Sequence, residues 1–344
     1  MRSSPIFVPT HALRSPQSFK AEPYSKENML NPDDRWIWDF WHVQDGPAHH
    51  LFYLQAPKSL GDPELRHRNA TIGHATSTDL TEWTEHGTVL SPGGTGAIDA
   101  TATWTGSIVR GDDGLWRMFY TGSTFLSADT TANIEVIALA TSTNLYDWTK
   151  DSSFALRADA AWYEKLGDSS WPEEAWRDPW VYRDDAGLWH MLITARAKNG
   201  DVSERGVVGH ATSPDLLAWT VQPPLTEPGA GFAHLEVLQK VNILGQDLAV
   251  FSVHELSAST QRRAAGPATG TWIAPWNGRI ALEQATNLSG PNLYSGRVIE
   301  LDGSPVLLAF RIADGEPVVL DGIADPVAIT TTAGSLTLLK SEVR

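Results

Sequence analysis

Apolar and polar positions alternate in short runs along this chain, and the runs come in pairs. "WDFWHV", "WTGSIVR", "RDPWVYR", "HLEVLQKV" and "YSGRVIEL" are each followed by a turn signal ("QDGPA", "GDDG", "RDDAG", "LGQ" or "LDGS"). A second apolar run then follows: "HHLFYLQA", "LWRMFYTG", "LWHMLITA", "DLAVFSVH" or "PVLLAFRI". Period-two alternation on both sides of such turns predicts five β-hairpins. Three of them continue into a third run, "ATIGHATS", "IEVIALATS" or "GVVGHATS". These third runs lead into a shared string, A-T-S-x-[DN]-L-x-x-W, which starts at residues 75, 140 and 211, so its copies lie 65 and 71 residues apart. A long and slightly uneven period means a repeated supersecondary unit with variable loops. Outside a turn near 160–176, almost no helical periodicity is visible.

Five units of about 65 residues, each with a hairpin, a third strand and an outer segment, predict an all-β fold. The expected architecture is a five-bladed β-propeller of four-stranded antiparallel blades around a central channel. The fourth unit carries "GTWIAPW" in place of the repeat, and the fifth has lost the string. The expected layout is an N-terminal extended segment over 1–30 and one propeller domain over 31–344. A β-sandwich is the structural alternative, disfavoured by regular repeats of this length.

In a propeller the first strand of each blade lines the channel, and all five run the same way. Aligning the hairpins by their turns brings Asp39, Gly106, Asp178, Glu236 and Gly296 to one level, so three carboxylates from three blades meet at one mouth. Taken singly, Asp39 reads as a strand-end cap or a partner of Arg35, and Asp178 before Pro179 as a turn residue. Glu236 in an apolar strand needs a partner or a purpose. The chain has 15 Trp, whose flat rings suit a core, an interface or the C–H face of a sugar. Trp83, Trp148 and Trp219 recur in the repeat and read as blade packing. Trp36, Trp38, Trp41, Trp104 and Trp180 lie on predicted inner strands and are candidates for the pocket wall, as is Gln44. Convergent carboxylates in an aromatic pocket suit glycoside cleavage, which needs one protonated carboxyl for the leaving oxygen and one ionised carboxylate at the anomeric carbon.

Composition narrows the partners. A formal net charge of −15 and 42% hydrophobic residues describe a globular protein without the basic face that nucleic acid or an anionic membrane surface requires. There is no cysteine. The histidines show no H-x-x-x-H or H-E-x-x-H spacing, and no D-x-D-x-D-G loop occurs, so no metal and no cofactor is expected. "MRSSPIFVPTHALRSPQSF" lacks the apolar core of a secretory signal, which sets a cytoplasmic location as the expectation.

"WIWDFWHVQ", "TWTGSIV", "MFYTG", "RDPWVY" and "HLEVLQ", in that order, resemble the active-site motifs of the five-bladed fructoside-hydrolysing and fructosyl-transferring clan, glycoside hydrolase families 32 and 68. The resemblance runs from about residue 31 onward. The first motif looks more like the W-D-x-W setting of family 68 than the N-D-P-N of family 32. It implies Asp39 as nucleophile, Glu236 as acid/base and Asp178 as the transition-state stabiliser that holds sugar hydroxyls. It places Trp104 and Ser107 in the fructosyl subsite, with Arg177 pairing carboxylates or hydroxyls there. His234, two residues before Glu236, is a candidate for binding the leaving sugar. The chain departs from family 68 in having His234, Leu235 and Val237 around the acid/base. The expected layout, closing with the fifth blade and without the C-terminal β-sandwich usual in family 32, departs from that family.

The implied activity is retaining cleavage or transfer of a β-fructofuranosyl group from sucrose or a short fructoside. The mechanism requires Glu236 protonated, which its apolar neighbours would favour, and Asp39 ionised, which donors such as Ser107 or Arg177 would favour. Two rivals remain open at this stage: an inverting arabinofuranosidase or xylosidase like families 43 and 62, and a sugar-binding propeller without turnover.

Overall fold

The computed structural model describes residues 30–313 and 319–339. All but the last residue of the expected N-terminal segment therefore lies outside the described residues. Five antiparallel sheets form the chain. Blade I comprises Arg35–Asp45, Ala48–Pro57, Thr71–Ser77 and Thr84–Leu90; blade II comprises Ala102–Arg110, Trp116–Phe125, Asn133–Ser142 and Thr149–Lys150. Blade III comprises Trp176–Arg183, Trp189–Arg196, Gly206–Ser213 and Thr220–Gln222. Blade IV runs Glu236–Ile243, Gln246–Val253, Gly270–Asn277 and Arg279–Ile280, with Thr286–Asn287 also on its third strand. Blade V runs Leu293–Leu301, Ser304–Ala313, Val327–Thr332 and Ser335–Leu338, and Val319–Ile323 pairs beside its second strand.

Each inner strand packs on the inner strands of both neighbouring blades, and blade I packs on blade V, which closes the ring. A clasp reinforces that closure: Leu30 bridges Ile323, whose N–H donates to the Leu30 carbonyl at 3.0 Å. Apolar clusters fill the spaces between blades. One groups Trp41, Phe52, Met118 and Phe310; another joins Phe119, Trp176 and Met191; a third joins Leu192, Phe232 and Trp272.

The repeated string forms the turn from the third to the outer strand. In blade II the Ser142 hydroxyl accepts the N–H groups of Asn144 and Leu145, and the Asn144 side chain accepts those of Tyr146 and Asp147. Ser77 with Asp79 and Ser213 with Asp215 head the corresponding turns of blades I and III. Each turn drives its leucine into positive φ: 64° at Leu80, 67° at Leu145 and 66° at Leu216. All three leucines are buried. The string is therefore a turn that drives a leucine into the core, with Trp83, Trp148 and Trp219 packed behind it.

Every inner strand also carries a β-bulge at one level. The register breaks between Trp38 and Phe40, between Trp104 and Gly106, opposite Leu192 and Thr194 in blade III, between Glu236 and Gln239, and between Tyr294 and Arg297. A bulge sets two residues against one and re-aims the extra side chain. Asp178, Val237 and Ser295 take positive φ of 56°, 55° and 50° at these bulges. At Gly106 the second strand comes so close that a Cβ would sit 2.4 Å from the Phe119 carbonyl oxygen.

Candidate active site

The bulges bring Asp39, Thr105, Asp178 and Ser295 together, with Glu236 opening the inner strand of blade IV. Asp39 accepts hydrogen bonds from Thr105 Oγ1 at 3.1 Å and from the Ser295 hydroxyl. Arg35 pairs instead with Asp34 and Glu85. Asp178 Oδ2 accepts from Thr194 Oγ1 at 2.9 Å and from the Val237 N–H at 3.2 Å. Glu236 accepts from Arg177 Nη2 at 2.8 Å and from the Tyr294 hydroxyl. The alignment by turns placed Gly106 and Gly296 at this level. The bulge inserts one residue, so the side chains that reach Asp39 are Thr105 and Ser295, one position earlier.

Arg177 is the electrostatic hub. Its guanidinium lies 3.0 Å from Glu135, 3.0 Å from Glu173, 2.8 Å from Glu236 and 3.8 Å from Asp178. These four carboxylates outweigh burial and hold its pKa well above the usual value. Glu135 comes from the third strand of blade II, is fully buried, and also accepts the Trp176 N–H at 2.8 Å. Its placement follows the signal that singled out Glu236, an acid within an apolar run ("NIEVIALATS"); sequence reasoning passed over it and over Glu173.

His234 is placed behind Glu236. Its Nδ1 meets Arg177 Nη2 at 3.1 Å, and its Nε2 lies 3.1 Å from Glu173. Burial and the Arg177 charge lower its pKa. A neutral imidazole that accepts at Nδ1 and presents Nε2–H to Glu173 fits this setting. With Nδ1 on Arg177 and Nε2 at ion-pair distance from Glu173, it braces Arg177, where the sequence reading expected a ligand for the sugar.

The remaining predicted site residues divide. Trp38 and Trp104 stand at the carboxylate end, each edge-on to the His67 ring at 6.2 and 6.4 Å between centroids. Trp104 Nε1 donates to the His67 carbonyl at 2.9 Å, and Arg66 stacks on Trp38. Arg66 and His67 belong to the 3-10 turn Pro63–Arg68, a loop that patterning did not resolve. The His67 ring nitrogens make no hydrogen bond to the described residues, and burial next to Arg66 lowers its pKa to about 4.

Trp41, Gln44 and Ser107 lie elsewhere. Trp41 is fully buried and stacks on Phe52 between blades. Ser107 is buried and accepts the Val181 N–H at 3.2 Å, bracing blade II to blade III. Gln44 sits at the opposite end of the channel, as does Trp180; five residues of extended strand separate Gln44 from Asp39, about 16 Å. Gln44 faces the channel but lies too far along the strand; for Trp41 and Ser107 the reason is the face. The bulge at Asp39 or Thr105 breaks the period of two, so counting alternate residues past it gives the wrong face.

The shifts in the free site run against the expected division of protonation. Burial raises the pKa of Asp39, helped by repulsion from Glu236 and opposed by the Ser295 and Thr105 hydroxyls. Burial likewise takes Asp178 up to about 7, against the Arg177 charge. Burial alone would raise Glu236 too, but Arg177, His234 and the Tyr294 hydroxyl outweigh it and hold Glu236 below the usual value. Its apolar neighbours Leu235, Val237 and Leu238 are buried, yet a guanidinium at 2.8 Å counts for more. Among the described residues no group of three or more His, Asp or Glu is arranged to hold a metal ion.

Comparison with known proteins gives this geometry a lineage. Raffinose invertase of Escherichia coli is 31% identical over 192 residues, covering 54% of this chain and 34% of that protein. Fructan 6-exohydrolase of Beta vulgaris is 28% identical over 211 residues, covering 58% of this chain and 30% of that protein. The match spans about a third of the length of these curated relatives. The structure of an inulosucrase from Halalkalicoccus jeotgali bound to kestose superposes with a TM-score of 0.71 at 21% identity, covering 93% of this chain and 92% of that one. The catalytic domain of a Microbacterium saccharophilum β-fructofuranosidase superposes at 0.70 and 18%, covering 91% and 82%. At such identities these two structures establish the fold. The model of the glycosyl hydrolases family 32 N-terminal domain matches residues 31–287. That span takes in blades I to IV with Asp39, Asp178 and Glu236, so the family 68 flavour of the first motif does not carry the protein away from its kin: the chain belongs to glycoside hydrolase family 32.

Proposed function

We propose that the protein cleaves or transfers a β-fructofuranosyl group by a two-step retaining mechanism, with Asp39 as nucleophile and Glu236 as acid/base. The supporting observation is the convergence of three carboxylates from three blades, each in a different hydrogen-bonding environment, beside Trp38, Trp104 and the free imidazole edge of His67. Family membership and the named activities of the curated relatives favour fructosides over the pentosides of families 43 and 62.

In the first step an Asp39 oxygen attacks the anomeric carbon while Glu236 gives its proton to the departing glycosidic oxygen. In the second step Glu236 takes a proton from water, or from a sugar hydroxyl, which displaces Asp39. Ser295 and Thr105 hold the attacking carboxylate in one orientation, so little reorganisation is needed at the moment of attack. Asp178, fixed by Thr194 and the Val237 N–H, is the group for sugar hydroxyls. A bound sugar strips water from Glu236 and raises its pKa toward the protonated form that the first step uses.

The test is a product assay of the wild type and Asp39→Asn on sucrose, an aryl β-fructofuranoside, an aryl α-arabinofuranoside and an aryl β-xyloside. The expected result is fructose release that falls by about a thousandfold or more in the variant. Cleavage of pentosides alone, or sugar binding without turnover, would refute the proposal.

A further inference from the structure

His234 and His67 both stand at the carboxylate end, and the fold commits only the first. The ring nitrogens of His234 meet Arg177 and Glu173, whereas those of His67 make no hydrogen bond or ion pair with the described residues. His67 is half-buried, and both of its ring nitrogens keep accessible surface. The ring is nevertheless fixed. It stands edge-on to Trp38 and Trp104 at 6.2 and 6.4 Å between centroids, and the His67 carbonyl accepts from Trp104 Nε1 at 2.9 Å. The turn beneath it is set by Pro63 and by Asp62, whose side chain accepts the Glu64 N–H at 2.9 Å.

The neighbours of the ring say which part of the pocket it lines. Trp38 precedes Asp39, and Trp104 precedes Thr105, whose hydroxyl donates to Asp39 at 3.1 Å. The imidazole therefore belongs to the wall beside the nucleophile, where the sugar unit under attack must lie. Glu236 and Arg177 both act on its charge through space, so the acid/base side of the pocket is within its reach as well. Burial is the largest influence on its protonation and Arg66 works in the same direction, which keeps the ring neutral above about pH 4. A ring that is surrounded by protein and still accessible lines a recess. A neutral imidazole offers one N–H donor and one lone-pair acceptor, and a sugar hydroxyl, which both donates and accepts, can use either.

We propose that His67 is a substrate-binding residue that holds one hydroxyl of the fructosyl unit and so helps to select that sugar. The inference rests on the fructoside reading above and adds a contact to it. Sugar and cofactor pockets combine apolar walls with a few placed polar groups; here Trp38 and Trp104 supply the wall and His67 the polar group. Held between two rings and by its own carbonyl, the imidazole has little freedom left to lose when a sugar binds. A sugar without the matching hydroxyl strips water from a ring nitrogen and gives it no partner, which is how a site of this kind discriminates.

The test compares the wild type with His67→Phe, which keeps a ring against Trp38 and Trp104 and removes both nitrogens. Fructose binding is measured by calorimetry, and kcat/KM is measured on an aryl β-fructofuranoside and on deoxy analogues that each lack one fructosyl hydroxyl. The expected result is about tenfold weaker fructose binding and about tenfold lower kcat/KM in the variant. On one analogue the wild type is expected to be slow already and the variant no slower, because the missing hydroxyl and the missing nitrogen are the two ends of one contact. If His67→Phe does not fold, His67→Leu takes its place in the same cycle. Unchanged fructose affinity and kcat/KM in the variant, or losses that add on every analogue, would overturn the proposal. A wild type that binds fructose but cleaves no fructoside would refute the reaction proposed above, and the two fructose affinities would then decide the role of His67 by themselves.

Discussion

Thr105 and Ser295 on one side, and Arg177 and Tyr294 on the other, set the hydrogen-bonding environments of the two carboxylates proposed to react. Asp39 is raised and Glu236 is lowered, so both shifts work against the productive form, with Asp39 ionised and Glu236 protonated, in the free enzyme. Activity rises with pH as Asp39 ionises and falls as Glu236 loses its proton, which predicts a bell-shaped kcat/KM profile with an acidic optimum. Tyr294→Phe removes a donor to ionised Glu236. Its pKa therefore rises and the optimum of the profile moves to higher pH; an unmoved optimum in the measured profile would contradict this account. The carboxylates themselves were legible in the sequence because each stands out chemically, as an acid among tryptophans, before a proline or within an apolar strand. Thr105, Ser295 and Tyr294 were not, because they are ordinary strand residues until a bulge turns them inward. Trp41 and Ser107 were misplaced for the same reason, since alternation holds only up to the bulge, and Gln44 because it lies at the other end of the channel.

At the level of the elements, the bulged inner strand is the unit that converts a blade into a site. Its cost is local strain, seen in the positive φ of Asp178, Val237 and Ser295, and strain of this kind gathers at functional positions. Gly106 permits the bulge in blade II, because any side chain there meets the Phe119 carbonyl. Gly106→Ala is expected to lower stability by about 1–3 kcal/mol in urea unfolding. It should also lower kcat, since Thr105 moves away from Asp39. The repeated turn acts on stability alone. Ser142→Ala removes the acceptor of two N–H groups and should cost about 1 kcal/mol with unchanged kinetics. The hairpins and third strands were readable because turn signals and alternation agree there. The Pro63–Arg68 turn that carries His67 was not, since one short turn has no period, although Asp62 caps it and Pro63 opens it.

Over the whole molecule, the ring depends on the contact between its ends. Blade V meets blade I through the inner strands and through the Leu30–Ile323 clasp, and a closed ring leaves no inter-blade gap for water or for edge pairing. Leu30, 6% exposed, contributes to a core shared by both ends, so Leu30→Ala should lower stability by about 2–5 kcal/mol while the catalytic geometry on the far side of the clasp is kept. The five-blade count was visible because three copies of one string fixed the period and the two degenerate blades kept their hairpins. The clasp was not, because nothing local in "MLNPDD" points to residue 323. The central claim, a covalent sugar on Asp39, is tested most directly by acid-quenching the enzyme during turnover of an activated β-fructofuranoside and mapping the modified peptide by mass spectrometry. The account predicts one fructosyl adduct, on the peptide that contains Asp39, and none in Asp39→Asn. Turnover with no adduct, and with the product released in the opposite anomeric form, would contradict it.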